Sequence, residues 1–420
     1  MAREISVRQL SGTNEAFEFL PDMTLREFKK QLHGWLPCAD ESKRSMSCVE
    51  VVVGDTPLLN NEEMLSEVIP GAEVLAFLSI KPVTCSSFVT AGCDPDDIRV
   101  VEIPGGKAGV GLCAFQGCSS LASVTIPNSV TVIAYCAFQG CSSLASVAIP
   151  NSVTHIGAVA FQGCSSLASL TIPNSVTEIG ESAFGGCSSL ARVAIPNSVI
   201  KLTDNSFQGC SSLASVTISH SINVIANRTF QGCSSLASVA IPNSVTEIRE
   251  SAFEGCSSLA VVDIPNSVTE IGERAFKDCS SLARIAIPNS ATAIGEGAFE
   301  DCSLLASVDI PNSVSEIAES SFQGCSSLAS VTIPDSIFVI GYCAFQGCSS
   351  LVSIAIPNSV TEIGECAFKD CISLSIVTIP DSVAMIGNDA FAGCSYVLPE
   401  TTRHKLDCDG SLWWDLGHAC

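Results

Sequence analysis

From residue 98 to 397 the apolar and polar positions recur with one fixed period. In Leu121-x-x-Val124-x-Ile126, Ser123 and Thr125 stand between apolar residues. This predicts a short strand with Leu121, Val124 and Ile126 facing inward. Pro127 has no N–H to continue a ladder, and Asn128-Ser129 supply a turn. Val130, Ile133 and Phe138 are then expected to face the same interior from the opposite wall, with Gly140 allowing a tight turn. Thirteen cysteines, from Cys118 and Cys141 to Cys394, are spaced 23 residues apart. Each has a Phe three positions before it and a Leu three positions after, with Val397 in the last unit. Thirteen equal units predict a solenoid with coils about 4.8 Å apart and one continuous core. A single coil buries too little to offset the entropy of ordering it, so stability must come from its neighbours.

The full unit, Leu-x-x-Val-x-Ile-Pro-x-Ser-Val-x-x-Ile-Gly-x-x-Ala-Phe-x-x-Cys, resembles the BspA-like, or Treponema-type, class of leucine-rich repeats. The resemblance implies a right-handed parallel β solenoid with one sheet along its concave side. Bacterial and protist members are linked to cell-surface adhesion, which makes a surface adhesin binding host or matrix proteins the alternative function. The opening residues Met1 to Arg8 carry charges where a secretory signal would be apolar, so a cytoplasmic protein is expected instead.

Residues 1–81 lack the repeat. Ile5 and Val7, then Phe17 and Phe19, alternate as two strands. Thr24-Leu25-Arg26-Glu27 forms a capping box ahead of a helical face of Leu25, Phe28 and Leu32. Val49 to Val53, a Gly54-Asp55 turn and a strand from Val74 to Ile80 follow. This order, with Val51-Val52-Val53-Gly54-Asp55-Thr56-Pro57-Leu58, resembles a ubiquitin-like α+β β-grasp domain, whose recognition face would fall near Val51 and Phe77. The chain runs on into Lys81-Pro82-Val83 without a free Gly-Gly end, so conjugation to targets is not expected. The expected organisation is a ubiquitin-like domain at 1–81, a linker at 82–97, the solenoid at 98–397 and a C-terminal cap at 398–420, with Trp413-Trp414 over the last coil.

Composition narrows the function. The chain carries 20 Lys+Arg against 43 Asp+Glu, a net charge of −23, of which residues 102–397 hold −14. So acidic a surface predicts neither nucleic acid nor membrane as partner, because phosphate binding needs clustered Lys and Arg. A hydrophobic content of 47% excludes disorder, and no apolar run approaches the roughly 20 residues of a membrane span. The five histidines fall in unrelated columns, and no phosphate loop, zinc-protease motif or nucleophile elbow occurs. His404, Cys408, His418 and Cys420 match no common zinc spacing. Neither catalysis nor a cofactor or metal is expected, and the chain reads as a monomeric, non-catalytic scaffold for protein partners.

Candidate contact residues are the departures from the repeat. The outward strand positions are mostly Ser with Thr or Ala, as in Ser123/Thr125 and Ser238/Ala240, and the exceptions are Arg192, Val261/Asp263, Arg284, Asp309 and Ile376. Glu250, Glu273, Glu296 and Glu319 share one column in four consecutive coils, with Glu247, Glu270 and Glu316 beside them. Like charges about 5 Å apart repel, so this ladder serves solubility or meets a basic protein partner. The periodic cysteines are expected as buried, inert thiols. Cys113 with Cys136, and Cys343 with Cys366, share another column at a spacing inside the disulfide window, and a cytoplasmic location would keep them reduced.

Overall fold

The computed structural model describes residues 99–395, apart from Pro104, and the backbone of five strands nearer the N-terminus. Of these five, Arg3–Arg8 pairs antiparallel with Asn14–Phe19, and Val49–Val53 pairs antiparallel with Thr56–Pro57 and Val74–Leu78. The strand Arg3–Arg8 also runs beside Val74–Leu78. The capping-box helix, the linker and the C-terminal cap lie outside the described residues.

The repeats form a parallel β solenoid of about twelve turns. Each coil gives one strand of three residues and one of two, from Val100–Glu102 and Gly109–Val110 to Ile376–Thr378 and Met385–Ile386. Strands pair in parallel with a register shift of one repeat, as in Val147 with Leu170 and Ile156 with Ile179. The three-residue strands expose their first and last side chains and bury the middle one, Val147 for example, with Val331 only half-buried. Within one coil Cys141, Leu144, Val147, Ile149, Val153, Ile156, Ala160 and Phe161 are all buried. The Pro150 carbonyl accepts the Val153 N–H at 3.0 Å, closing the turn over Asn151-Ser152 that the sequence predicts.

Two columns hold the coils in register. Thirteen Phe rings, Phe115 to Phe391, stack at 5.1–5.8 Å between centroids and within 3–16° of parallel. Each Phe amide from Phe115 to Phe368 also donates to the next coil, as from Phe161 to the Ala183 carbonyl at 2.8 Å. Beside the rings, the Cys141 thiol donates to the Phe115 carbonyl at 3.1 Å, and every later periodic cysteine repeats this bond to the coil before it. The column is therefore a hydrogen-bonded seam. Burial pushes Cys210 and Cys256 up to about 12, which keeps these thiols neutral and inert.

A second feature is absent from the sequence reading. One position per coil, occupied by Cys113, Cys136, Val159, Ser182 and their successors to Asp389, has φ of 50–60° in all thirteen coils, yet only Gly297 among them is glycine. Left-handed backbone costs an ordinary residue roughly 1–2 kcal/mol. Here the cost is offset, because the same residue's N–H bonds the next coil, as from Cys113 to Tyr135 at 2.9 Å and Val159 to Glu181 at 2.7 Å.

Backbone approach is closest where Gly follows the two-residue strand. A Cβ on Gly180 would lie 2.4 Å from the Ala158 nitrogen. The two-residue ladder lapses twice, between Lys201–Leu202 and Val224–Ile225 and between Ala293–Ile294 and Glu316–Ile317. In both places an alanine, Ala226 or Ala318, stands at this column, although Ala134 and Arg249 occupy it with the ladder intact. Gly180→Ala is expected to lower stability by roughly 1–3 kcal/mol in urea denaturation. Gly111→Ala, with nothing within 4 Å of the added Cβ, is expected to be neutral or slightly stabilising. Equal midpoints for the two variants would contradict this packing account.

Candidate functional site

The outer face of the three-residue sheet is small and neutral over most of its length, and its departures are exposed. Arg192 lies three coils before Val261 and stands apart from the others. Asp263, Arg284 and Asp309 fall on three successive strands, with Val261 directly in register with Arg284 and Asp263 with Ala286. Val261 is 38% exposed, so this patch joins one apolar side chain to three charges. Ile376 is exposed too, four coils beyond Arg284. Val51 and Phe77 lie on the paired strands Val49–Val53 and Val74–Leu78, and their side chains are outside the described residues.

The acidic band runs along the two-residue strands, which hold Glu247, Glu270 and Glu316, and the turn after them, which holds Glu250, Glu273, Glu296 and Glu319, and it is partly neutralised by the chain itself. Glu247 and Glu270 are direct register partners on adjacent strands. Arg249 holds Glu247 through two bonds of 3.1 Å. Arg274 reaches Glu273 at 2.7 Å and Glu296 at 3.8 Å, and Arg228 pairs with Glu250. Arg228 and Arg274 both occupy the left-handed column, which brings them beside acids that belong to a different column of the repeat. This self-neutralisation was invisible in a reading of the Glu column alone. Among the described residues no ion pair reaches Glu270, Glu316 or Glu319.

A ladder of amides flanks this band. Gln116 donates to Gln139 at 2.7 Å and Gln139 to Gln162 at 2.8 Å, while Gln208 donates to Gln231 and Gln231 to Glu254. At Glu254, Lys277 and Glu300 charges replace the amides, and Gln323 and Gln346 then restore them. Lys277 and Glu300, 2.8 Å apart, are the least exposed of the described ion pairs. Burial alone would lower the Lys277 pKa, but the hydrogen bond and charge of Glu300 outweigh it and hold the ammonium above its usual range. The next column carries Asp278 and Asp301 in place of glycine. Burial, then Asp278 and Glu300, raise the Asp301 carboxyl above its usual value, with Lys277 opposing them.

The first ladder lapse opens a cleft of about 460 Å³ that sequence reading missed, lined by Ile200, Lys201, Thr203, Asp204, Asn223 and Arg249 among others. Ile200 is 63% exposed where most coils carry Thr, and Lys201 pairs with Glu178 at 3.3 Å. Asn227 bonds Asp204 through both its backbone N–H and its side-chain amide, at 3.2 and 3.0 Å, and Thr203 replaces the usual glycine. The signal was present as the irregular stretch Ile200-Lys-Leu-Thr-Asp-Asn. Among the described residues no group of three His, Cys, Asp or Glu side chains is placed to hold a metal ion. His155 and His220 are exposed, and the His155 ring meets only Thr154 at 2.8 Å. The zinc-like set at 404–420 lies outside the described residues. No helix among the described residues is long and apolar enough to cross a membrane.

The family model described as a BspA type leucine-rich repeat region, in six copies, matches residues 95–214, 201–329 and 269–398. A leucine-rich repeat protein from Bacteroides ovatus is 34% identical over 73% of this chain and 88% of its own, with a TM-score of 0.62. A leucine-rich repeat protein from Eubacterium ventriosum is 24% identical over 73% of this chain and 86% of its own, with a TM-score of 0.52, and shares the fold. No curated protein matches the chain.

The charged band makes a prediction about pH. Because the folded-state pKa of Asp301 is raised, its ionisation opposes folding above that pKa, and the penalty vanishes below the ordinary aspartate value of about 3.9. Asp301→Asn keeps a residue that tolerates φ of 58°. It is expected to raise the melting temperature at pH 7 by about 1 °C, since solvent screens so open a site, and to have no effect at pH 3. Melting curves at the two pH values check it.

Proposed function

Because the chain belongs to the BspA-type leucine-rich repeat family, we propose that it works as a non-catalytic protein-binding scaffold whose solenoid carries the contact surface. The observation that carries this reading is the exposed patch of Val261, Asp263, Arg284 and Asp309 on an otherwise Ser, Thr and Ala wall. Small neutral side chains give a partner little to grip, whereas an arginine among carboxylates beside an apolar residue has the character of an interface centre. The acids that no ion pair among the described residues reaches, Glu270, Glu316 and Glu319, favour a partner with a basic surface.

Residues 1–81 belong to the same reading as a non-conjugating ubiquitin-like module. It is supported by three antiparallel strand pairs and by the first strand running beside the fifth, and its own contacts would centre near Val51 and Phe77. A cytoplasmic scaffold and a surface adhesin differ in compartment, and cell fractionation separates them. Recovery only in the outer fractions would replace the scaffold by the adhesin.

Restoring the repeat consensus tests the contact patch. Full-length protein carrying Val261→Ser, Asp263→Thr, Arg284→Ser and Asp309→Thr should keep its melting temperature, since these positions point outward, and lose bound partners by at least about tenfold in quantitative affinity capture. Undiminished capture of the same partners would move the interface elsewhere.

A further inference from the structure

The left-handed column contains four cysteines, and they come as two isolated pairs. Cys113 and Cys136 occupy successive coils at the N-terminal end of the described solenoid, and the next residue in the column is Val159. Cys343 and Cys366 occupy successive coils near its C-terminal end, bounded by Ser320 and Asp389. Within this column each of the four has one cysteine neighbour in an adjacent coil. Phe115 and Phe138, two residues further along the same coils, stack at 5.3 Å, and Phe345 and Phe368 stack at 5.3 Å as well. The Cys113 and Cys343 amides donate to the carbonyls of Tyr135 and Glu365, the residues just before Cys136 and Cys366, both at 2.9 Å, so the backbones of each pair of coils touch at the cysteines, as the short span of a disulfide requires. Both members of each pair share backbone conformation, φ 50° and 54° in one and 51° and 57° in the other, and all four are thiols in the structure.

We propose that Cys113–Cys136 and Cys343–Cys366 are disulfide-forming sites that bridge neighbouring coils near the two ends of the solenoid when a small-molecule disulfide such as oxidised glutathione is present. In the first pair the Cys113 thiolate, its proton lost to water, attacks one sulfur of the oxidant and expels one glutathione thiolate. The Cys136 thiolate then attacks the Cys113 sulfur and expels the second glutathione. Two protein thiols are oxidised, one small disulfide is reduced to two thiols, and the two protons end on the leaving thiolates. Cys113 is half-exposed and so meets the oxidant first, whereas Cys343 and Cys366 are only 4% and 8% exposed and should react more slowly. Burial, and then the Cys136 thiol beside it, raise the Cys113 pKa, so the reaction should quicken as pH rises. The periodic column is different. From Cys141 to Cys371 its thiols are fully buried and bonded to Phe carbonyls, out of the oxidant's reach.

The position of the pairs gives the bridges a purpose. In a stack where each coil touches only its neighbours, end coils have one neighbour fewer and open first. A covalent tie closing one 23-residue loop constrains the opened state of that region.

The test is full-length protein incubated with excess oxidised glutathione, digested without reductant and mapped by mass spectrometry, alongside amide hydrogen exchange. Peptides joined through Cys113–Cys136 are expected first and those through Cys343–Cys366 later. Exchange in both end regions should slow by on the order of tenfold or more, with reversal by dithiothreitol. Cys136→Ser is the control, because Ser182, Ser251 and Ser320 already occupy this column at the same φ. It should fold, leave Cys113 unbridged and lose the N-terminal protection only. Separate alkylation or glutathionylation of these cysteines, or a bridge at Cys371–Cys394 in their place, overturns the assignment. Bridges that leave exchange unchanged overturn the stapling role.

Discussion

Everything in this solenoid rests on one constraint, the stacking of residue i on residue i + 23. The core of a single coil is eight side chains wide, as between Cys141 and Phe161, and has no second layer of its own. Phe rings stack on Phe rings, thiols bond the carbonyls of the preceding coil, and left-handed amides bond the carbonyls of the next. Each of these contacts exists only if both partners keep the same period. One residue inserted or deleted in a coil would put polar side chains where Phe and Cys belong and break the ring stack, the thiol seam and the ladder together. This explains how a sequence can vary its outward positions freely while holding its length per coil invariant for thirteen units.

The fold was legible because the constraint is written in the sequence as a period. Leu121, Val124, Ile126, Val130, Ile133 and Phe138 were expected inward from spacing alone, and all six are buried. Pro127 and Asn128-Ser129 turn the chain where their backbone chemistry requires. The left-handed column was not legible. It holds Cys, Val, Ser, Asn, Arg and Asp, with a single Gly, so composition gives no sign of positive φ. There the hydrogen bond to the next coil, a tertiary interaction, decides the backbone against local preference.

The site was less legible for a related reason. Reading down one column finds residues that stack, so it found Glu250, Glu273 and Glu296. It does not find residues in other columns that the turn of the coil brings alongside, so it missed Arg228 and Arg274 as their partners. It likewise passed over the cleft beside Ile200 and Lys201, which arises because a ladder lapses and not because a motif appears. Absence of a pairing leaves a weaker trace in sequence than its presence.

The two lapses bear on where binding can evolve in such a molecule. Between them, the strands from Val224–Ile225 to Ala293–Ile294 form one unbroken stretch of the two-residue sheet. On the other sheet the strands from Arg192–Ala194 to Arg284–Ala286 are also continuous. Val261, Asp263 and Arg284 fall where these two continuous stretches overlap, as do Glu247 through Glu273 on the opposite face. Crowded like charge destabilises whatever holds it, and an apolar side chain on the surface gains nothing from the fold. Val261 and Asp263 are flanked by intact ladder on both sides, whereas Arg284 ends its stretch and Asp309 begins the next, so stacking between neighbouring coils as well as strand pairing keeps the backbone in place beneath the patch. A surface patterned for partners is thus expected in the middle of a solenoid, with its ends given over to holding the stack closed.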